Sequence, residues 1–217
     1  MGNSRCRAAI LISGSGSNLQ SFIDQVESGQ LDLDIVIVVS NRADAFGLER
    51  AAKADIPTAC IDHLSFADRE SFDQAIAASL DALEVDLVIL AGFMRILSPW
   101  FVNHFAGRIL NIHPALLPAY PGLDTHQRVL DAGEKWHGST VHFVTEELDG
   151  GPLLMQGRVA INSNEDAADL AARVQTVEHQ IYPQVVALFA DGRLCSRDNS
   201  AFLGGDELVE PIKKDFA

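Results

Sequence analysis

The sequence is short of positive charge, of cysteine and of long apolar runs, and each shortage excludes something. Sixteen Lys and Arg stand against thirty Asp and Glu, a net charge of −14 with histidine neutral. A surface that acidic repels polyphosphate, so neither nucleic acid nor an anionic membrane is an expected partner. The densest basic cluster is only Lys213-Lys214. The three cysteines, Cys6, Cys60 and Cys195, form no CxxC pair and no metal spacing, which fits a reducing compartment. No apolar run approaches the roughly 20 residues that cross a bilayer. The run Ala8–Ile12 is too short for the core of a signal peptide, and Ser13-Gly14-Ser15-Gly16 follows where a cleavage site would lie. The expectation is a soluble, cytoplasmic protein.

What remains is an ordinary globular balance, 47% hydrophobic and 21% charged over 217 residues. A chain of this length buries about 70% of its unfolded surface without a metal or disulfide staple. Apolar runs of strand length, Ala8–Ser13, Ile35–Ser40, Thr58–Ile61, Val85–Ala91, Ile109–His113, Gly138–Val144 and Leu153–Ile161, alternate with stretches of helical period. The early helical stretches are Asn18–Ser28, Ala45–Ala54, Phe66–Leu83 and Pro99–Phe105. Ile35-Val36-Ile37-Val38-Val39 is apolar on both faces, as in a parallel sheet covered by helices on both sides. The pattern predicts an α/β fold, a doubly wound, mostly parallel sheet of Rossmann-like type. Ser65 with Asp68 approximates a capping box for the third helix, and Pro183 should kink a long helix that starts after Asp166. Residues 1–192 are expected to form one domain. Residues 193–217 are weakly patterned and are expected to pack on it as a C-terminal tail or to be partly ordered.

Three places could carry chemistry. Gly14-Ser15-Gly16-Ser17-Asn18 links the first strand to the first helix, and its glycines with the free N–H groups of the helix suit a phosphate. The alternative reading is a tight strand-to-helix turn with an Asn cap. The dinucleotide fingerprint is incomplete, because Leu19 takes the third glycine position and Ser40-Asn41 ends the second strand without a ribose-binding acid. Asn111-Ile112-His113-Pro114 ends the fifth strand. Asn111 and His113, two apart, share one face and can converge on a point, an amide donor beside a proton-transfer group. Asp149, in Glu146-Glu147-Leu148-Asp149-Gly150-Gly151-Pro152, would stabilise the charged form of His113 or hold one tautomer if the fold brought it there. Arg69 and Glu178 lie on the apolar side of their helices, where a charge either extends to solvent or faces a cleft. Seven histidines form no HExxH and sit near no cysteine pair, and Gly-x-Ser-x-Gly is absent, which leaves small-molecule transfer chemistry.

The segments Leu11–Leu19, Asn41–Arg50, Leu90–Pro99, Asn111–Gly122, Val141–Pro152 and Ala172–Pro183 together resemble the phosphoribosylglycinamide formyltransferases, folate-dependent enzymes of purine synthesis. The resemblance extends to Asp191-Gly192, and its most specific parts are Asn-x-His-Pro, the later Asp-Gly-Gly and the GSGSN loop. It implies that Asn111, His113 and Asp149 are catalytic. The amine of a glycinamide ribonucleotide would attack the formyl carbon of 10-formyltetrahydrofolate, the co-substrate, while His113, charged beside Asp149, and the Asn111 amide hold the oxyanion. It further implies that Gly16, Ser17 and Asn18 bind the phosphate and Glu178 the sugar or glycinamide end. Arg69, Met94, Arg95, Ile96 and Leu97, with Asn111, would make the folate contacts, and no metal would be needed. A monomer or homodimer is expected. Departures are Ser15 for a common Asn, Ser139-Thr140 in reversed order, and Ala119 for a frequent Lys.

Two rivals follow. A formyltetrahydrofolate deformylase would share Asn111, His113 and Asp149 with water as the acceptor, but that family resembles this chain with an extra N-terminal domain, and only seven residues precede the first strand here. A non-catalytic nucleotide-binding module is disfavoured by the incomplete glycine motif. A formyltransferase acting on initiator tRNA would want a basic C-terminal domain.

Overall fold

The computed structural model describes residues 5–216. The chain divides into two compact units, Met1–Leu110 and Asn111–Ala217, with the boundary inside the fifth strand. The fold is α/β, with mostly parallel strands and helices between them, as the sequence pattern predicts.

In the first unit, strands β1 (Cys6–Ile12), β2 (Leu33–Ser40), β3 (Thr58–Cys60) and β4 (Leu87–Leu90) alternate with helices α1 (Ser17–Glu27), α2 (Phe46–Lys53) and α3 (Arg69–Asp81). The short α4 (Pro99–His104) follows β4. The strands lie in the order β4-β1-β2-β3, every pair parallel. Ala8 to Ile12 are all fully buried, which is why β1 shows no alternation in sequence: both of its faces are covered. The winding reverses at β1, since β2 and β3 follow on one side and β4 lies on the other. The carboxyl end of such a strand is where open α/β sheets bind ligands, and Gly14–Asn18 lies there.

Helix boundaries correct one expectation. The capping box of α3 joins Asp68 to Ser71, not Ser65 to Asp68: Asp68 Oδ1 accepts from the Ser71 N–H at 2.7 Å, and the Asp68 N–H donates to Ser71 Oγ. Ser65 is used one turn earlier, in a 3-10 turn over His63–Ser65 capped by Asp62. The helix therefore starts at Arg69 rather than Phe66.

In the second unit the strands are β5 (Ile109–His113, shared with the first unit at its start), β6 (Trp136–Phe143), β7 (Leu153–Ala160) and, last in the chain, β11 (Ile212–Phe216). Their order is β5-β6-β7-β11, with β6 and β7 antiparallel and β7 and β11 parallel. The short α5 (Thr125–Asp131) precedes β6, and α6 (Ala167–Ala190) follows β7 and runs continuously through Pro183. A separate antiparallel sheet joins β8 (Leu194–Arg197), β9 (Ser200–Leu203) and β10 (Asp206–Glu207). The weakly patterned residues after Gly192 are thus paired strands, β11 adding to the edge of β7 with alternating half-buried and exposed residues.

Gly157 in β7 lets α6 close on the sheet, since a Cβ there would lie 2.2 Å from Val177 Cγ1 and 3.1 Å from Ile181 Cγ2. Gly157→Ala is expected to cost about 2 kcal/mol through overpacking, lowering the urea midpoint without changing the slope. An unchanged midpoint would show that α6 gives way freely.

His137, buried on β6, shares a hydrogen bond of 3.0 Å between its Nε2 and His126 Nδ1 on α5. Burial, then the nearby His126 and His113, pushes His137 down to about 4 from 6.5. Burial likewise lowers His126 and His142. The folded chain therefore binds fewer protons than the unfolded one below pH 6.5. Stability should be complete above that value and fall as the pH drops towards 4. Unfolding curves recorded across this range test it, and His137→Gln should make the dependence shallower.

Candidate active site

The second unit brings together the three residues Asn111, His113 and Asp149. His113 is the last residue of β5 and is 6% exposed. Its Nδ1 lies 3.4 Å from Asp149 Oδ2, and its Nε2–H donates to the Tyr120 carbonyl at 2.9 Å. Asp149 reaches this point from the β6–β7 loop. It takes a left-handed backbone conformation, φ 53°, and the chain then returns through Gly151 and Pro152. Gly151 cannot carry a side chain, because a Cβ would lie 1.9 Å from the Phe143 carbonyl oxygen. The Asp149 side chain is 8% exposed, and Oδ2 also accepts from the Gly122 N–H at 2.9 Å. The carboxylate thus ties the loop after β5 to the loop after β6.

A second histidine completes the cluster. His142 Nδ1 lies 2.9 Å from the Phe143 carbonyl, which can only accept, so the proton sits on Nδ1. Nε2 is left as an acceptor, and Asn111 Nδ2 donates to it at 3.1 Å. Burial is the largest cause that lowers the pKa of His142, against its bond to Phe143 and the Asp149 carboxylate, whose Oδ1 is 3.9 Å from Nε2. Neutral His142 therefore turns the Asn111 amide so that one N–H is bonded and the other is available. Sequence reasoning missed this residue. All of β6 from His137 to Phe143 is buried, so no alternation marks a functional face, and a register shift between Val141 and His142 re-aims the ring.

Hydroxyls from β6 fix the backbone that follows His113. Ser139 Oγ donates to the His113 carbonyl at 2.7 Å, and Thr140 Oγ1 donates to the Ala115 carbonyl at 2.6 Å while accepting from Leu117 N–H. Gln156 Nε2 donates to the Leu117 carbonyl. Glu178, on α6 and 8% exposed, lies within 3.1 Å of Ser139 Oγ, so it belongs to the same hydrogen-bonded neighbourhood as His113. The pair Ser139-Thr140, noted in sequence only for its order, thus has a structural use at both positions.

The remaining expected residues lie in the first unit. Gly16 has φ 68° and a Cβ there would lie 2.6 Å from Gly47 Cα, so both glycines are needed for the loop to meet the start of α2. Helix α1 begins at Ser17 with no side-chain cap and no acidic residue in its first turn, so the alternative of an Asn cap does not hold. Arg50 Nε donates to the Ser15 carbonyl and fastens the loop from behind. Arg69 and Arg95 line one cavity of about 360 Å³ with His63, Leu64, Phe66 and Phe72. Met94 and Ile96 are 68% and 55% exposed, whereas Leu97 is buried. Among the described residues, no group of three or more His, Cys, Asp or Glu could hold a metal ion, and no helix is long and apolar enough to cross a membrane.

The chain is similar to known proteins over most of its length. Residues 6–186 match the formyl transferase family. The chain is 52% identical over 199 residues to the phosphoribosylglycinamide formyltransferase of Escherichia coli (strain K12), covering 92% of this chain and 94% of that protein. A solved phosphoribosylglycinamide formyltransferase from Coxiella burnetii superposes with a TM-score of 0.93 at 46% identity, over 97% of this chain and all of that one. A formyltetrahydrofolate deformylase from Pseudomonas syringae pv. tomato shares the fold at TM-score 0.85, but at 25% identity and over 66% of its own chain. With the family model spanning most of its length, the chain belongs to the formyl transferase family.

Proposed function

We infer that the protein transfers the formyl group of 10-formyltetrahydrofolate to the amine of 5'-phosphoribosylglycinamide, in purine biosynthesis. The observation that carries this reading is the clustered set Asn111, His113, His142 and Asp149, in a chain 52% identical to a phosphoribosylglycinamide formyltransferase. The deformylase alternative has the weaker support, in identity and in coverage alike. A cytoplasmic location and action on small molecules rather than nucleic acid fit this activity and the net charge of −14.

The amine nitrogen attacks the formyl carbon, and the carbonyl electron pair moves onto oxygen. The free N–H of Asn111 and the Nε2–H of His113 stabilise that oxyanion, preorganised donors aimed where charge develops. In this reading the oxyanion takes the place of the Tyr120 carbonyl on Nε2, so the loop after β5 shifts as substrate binds. Asp149, facing Nδ1, complements the charge of an imidazolium. Collapse breaks the bond from the formyl carbon to N10, and a proton passes from the attacking amine to N10, giving tetrahydrofolate and the formylated ribonucleotide.

Binding roles follow the same logic. Gly16, Ser17 and Asn18 hold the ribonucleotide phosphate at the uncapped start of α1, where aligned N–H groups favour an anion. Glu178 hydrogen-bonds the sugar or glycinamide end. Exposed Met94 and Ile96 with Leu97 form an apolar wall for the folate, and Arg69 and Arg95 attract its carboxylates at the cavity they share.

The test is to follow formyl loss from 10-formyltetrahydrofolate spectroscopically, with and without the ribonucleotide. Loss only in its presence is expected, with His113→Ala lowering kcat by about 10²–10⁴-fold. Equal loss in its absence would overturn the transferase in favour of the deformylase. Retention of full turnover by His113→Ala would remove His113 from the chemistry.

A further inference from the structure

Within the Asn41–Arg50 segment, which carries part of the family resemblance, Gly47 and Arg50 brace the glycine loop, but Asn41 has no role in the site described above, and Ser13 stands just before that loop. The two side chains meet in the first unit. Ser13 and Asn41 directly follow the parallel strands β1 and β2, and both are buried, at 5% and 4% exposed. Ser13 Oγ donates to Asn41 Oδ1 at 2.6 Å and accepts from the Met94 N–H at 2.8 Å. The direction of the relay is dictated by chemistry. A backbone N–H can only donate, so the hydroxyl accepts from Met94 and gives its one proton to Asn41. Asn41 must then present its oxygen, which turns its NH₂ towards His63 Nδ1, 3.4 Å away.

The same residue fixes the chain on both sides of this bond. The Ser13 N–H donates to the Gly92 carbonyl at 3.1 Å, so Ser13 holds the Gly92–Met94 turn by main chain and side chain together. One residue later, the Gly14 carbonyl accepts from the Gly47 N–H at 3.0 Å, tying the glycine loop to the start of α2. The far end of the exposed segment is also pinned from within. Buried Asp73 on α3 accepts from the Ser98 N–H, and Ser98 Oγ caps α4 by accepting from the Phe101 N–H. Between these two anchors Met94 and Ile96 project outwards with no regular secondary structure to hold them.

We propose that Ser13, oriented by Asn41, is a positioning residue that sets the backbone of Met94–Leu97 for folate binding. The relay replaces secondary structure: a segment that would otherwise be ordered only on binding is ordered beforehand, and the entropic cost of fixing it is removed from the binding step. Asn41 here takes the strand-end place where a dinucleotide-binding protein has its ribose acid, and its amide serves the fold inward instead of a ligand outward. This inference rests on the reading of Met94–Leu97 as the folate segment.

The test measures tetrahydrofolate affinity by calorimetry and steady-state constants for both substrates. Ser13→Ala is expected to weaken tetrahydrofolate binding about tenfold and to raise the KM for 10-formyltetrahydrofolate similarly, with kcat at saturation changed less than twofold. Asn41→Leu, close in size but without the oxygen, should reproduce the effect. The double variant should be no worse than either single one, because both break the same relay. Asn41→Asp keeps an oxygen for the Ser13 hydroxyl and should recover most of the affinity. Ile96→Asp, at an exposed position, tests the underlying reading separately. If Ile96→Asp weakens folate binding while Ser13→Ala and Asn41→Leu, folded by circular dichroism, leave it unchanged, the positioning role is overturned and the folate assignment stands. If Ile96→Asp has no effect, the folate assignment itself fails.

Discussion

A single buried carboxylate organises the candidate active site. Asp149 has been taken almost wholly out of water, and a charge so placed is tolerated only when partners surround it. Two groups do so: the Gly122 N–H at 2.9 Å and His113 Nδ1 at 3.4 Å. They come from the loop after β5 and from the end of β5, so satisfying this one group draws both to the loop after β6. The left-handed backbone at Asp149 and the bare Cα of Gly151 are what that placement requires of the chain. Removing the carboxylate would therefore cost geometry as well as charge.

The two histidines beside it are made unlike by their hydrogen bonds. His142 gives its Nδ1 proton to a carbonyl and accepts from Asn111 on the other nitrogen, an arrangement that only the neutral ring can make. Burial and the neighbouring His113 push its pKa the same way. His113 instead has the carboxylate on one nitrogen and a carbonyl on the other, so both positions suit an N–H. One ring is thus arranged to accept and fix an amide, and the other to donate. The division of labour follows from which backbone carbonyl each ring meets.

Much of this was legible in the sequence. The parallel strands were visible because buried runs such as Ala8–Ile12 are apolar throughout, and the glycine loop was visible because a tight strand-to-helix turn demands that composition. The Asn111–His113 spacing fixed a shared face, and the structure places Asp149 beside it, which spacing alone could not do. His142, Ser139 and Thr140 were hidden in a strand buried on both faces, where period-two alternation disappears. The start of α3 differs from the sequence reading because Ser65 and Asp68 both suit a cap, and only the preceding 3-10 turn decides between them. The last strands escaped because edge strands such as β11, half-buried and short, carry little apolar signal.

The most direct test of this account is the protonation of His142, read from ¹⁵N-labelled histidine by two-bond nitrogen–proton correlation spectra as the pH is lowered. The account predicts a neutral ring with its proton on Nδ1 at pH 7, still neutral where an ordinary histidine has become charged, near pH 6. A proton on Nε2, or a charged ring at neutral pH, would contradict it, because neither form can accept from Asn111.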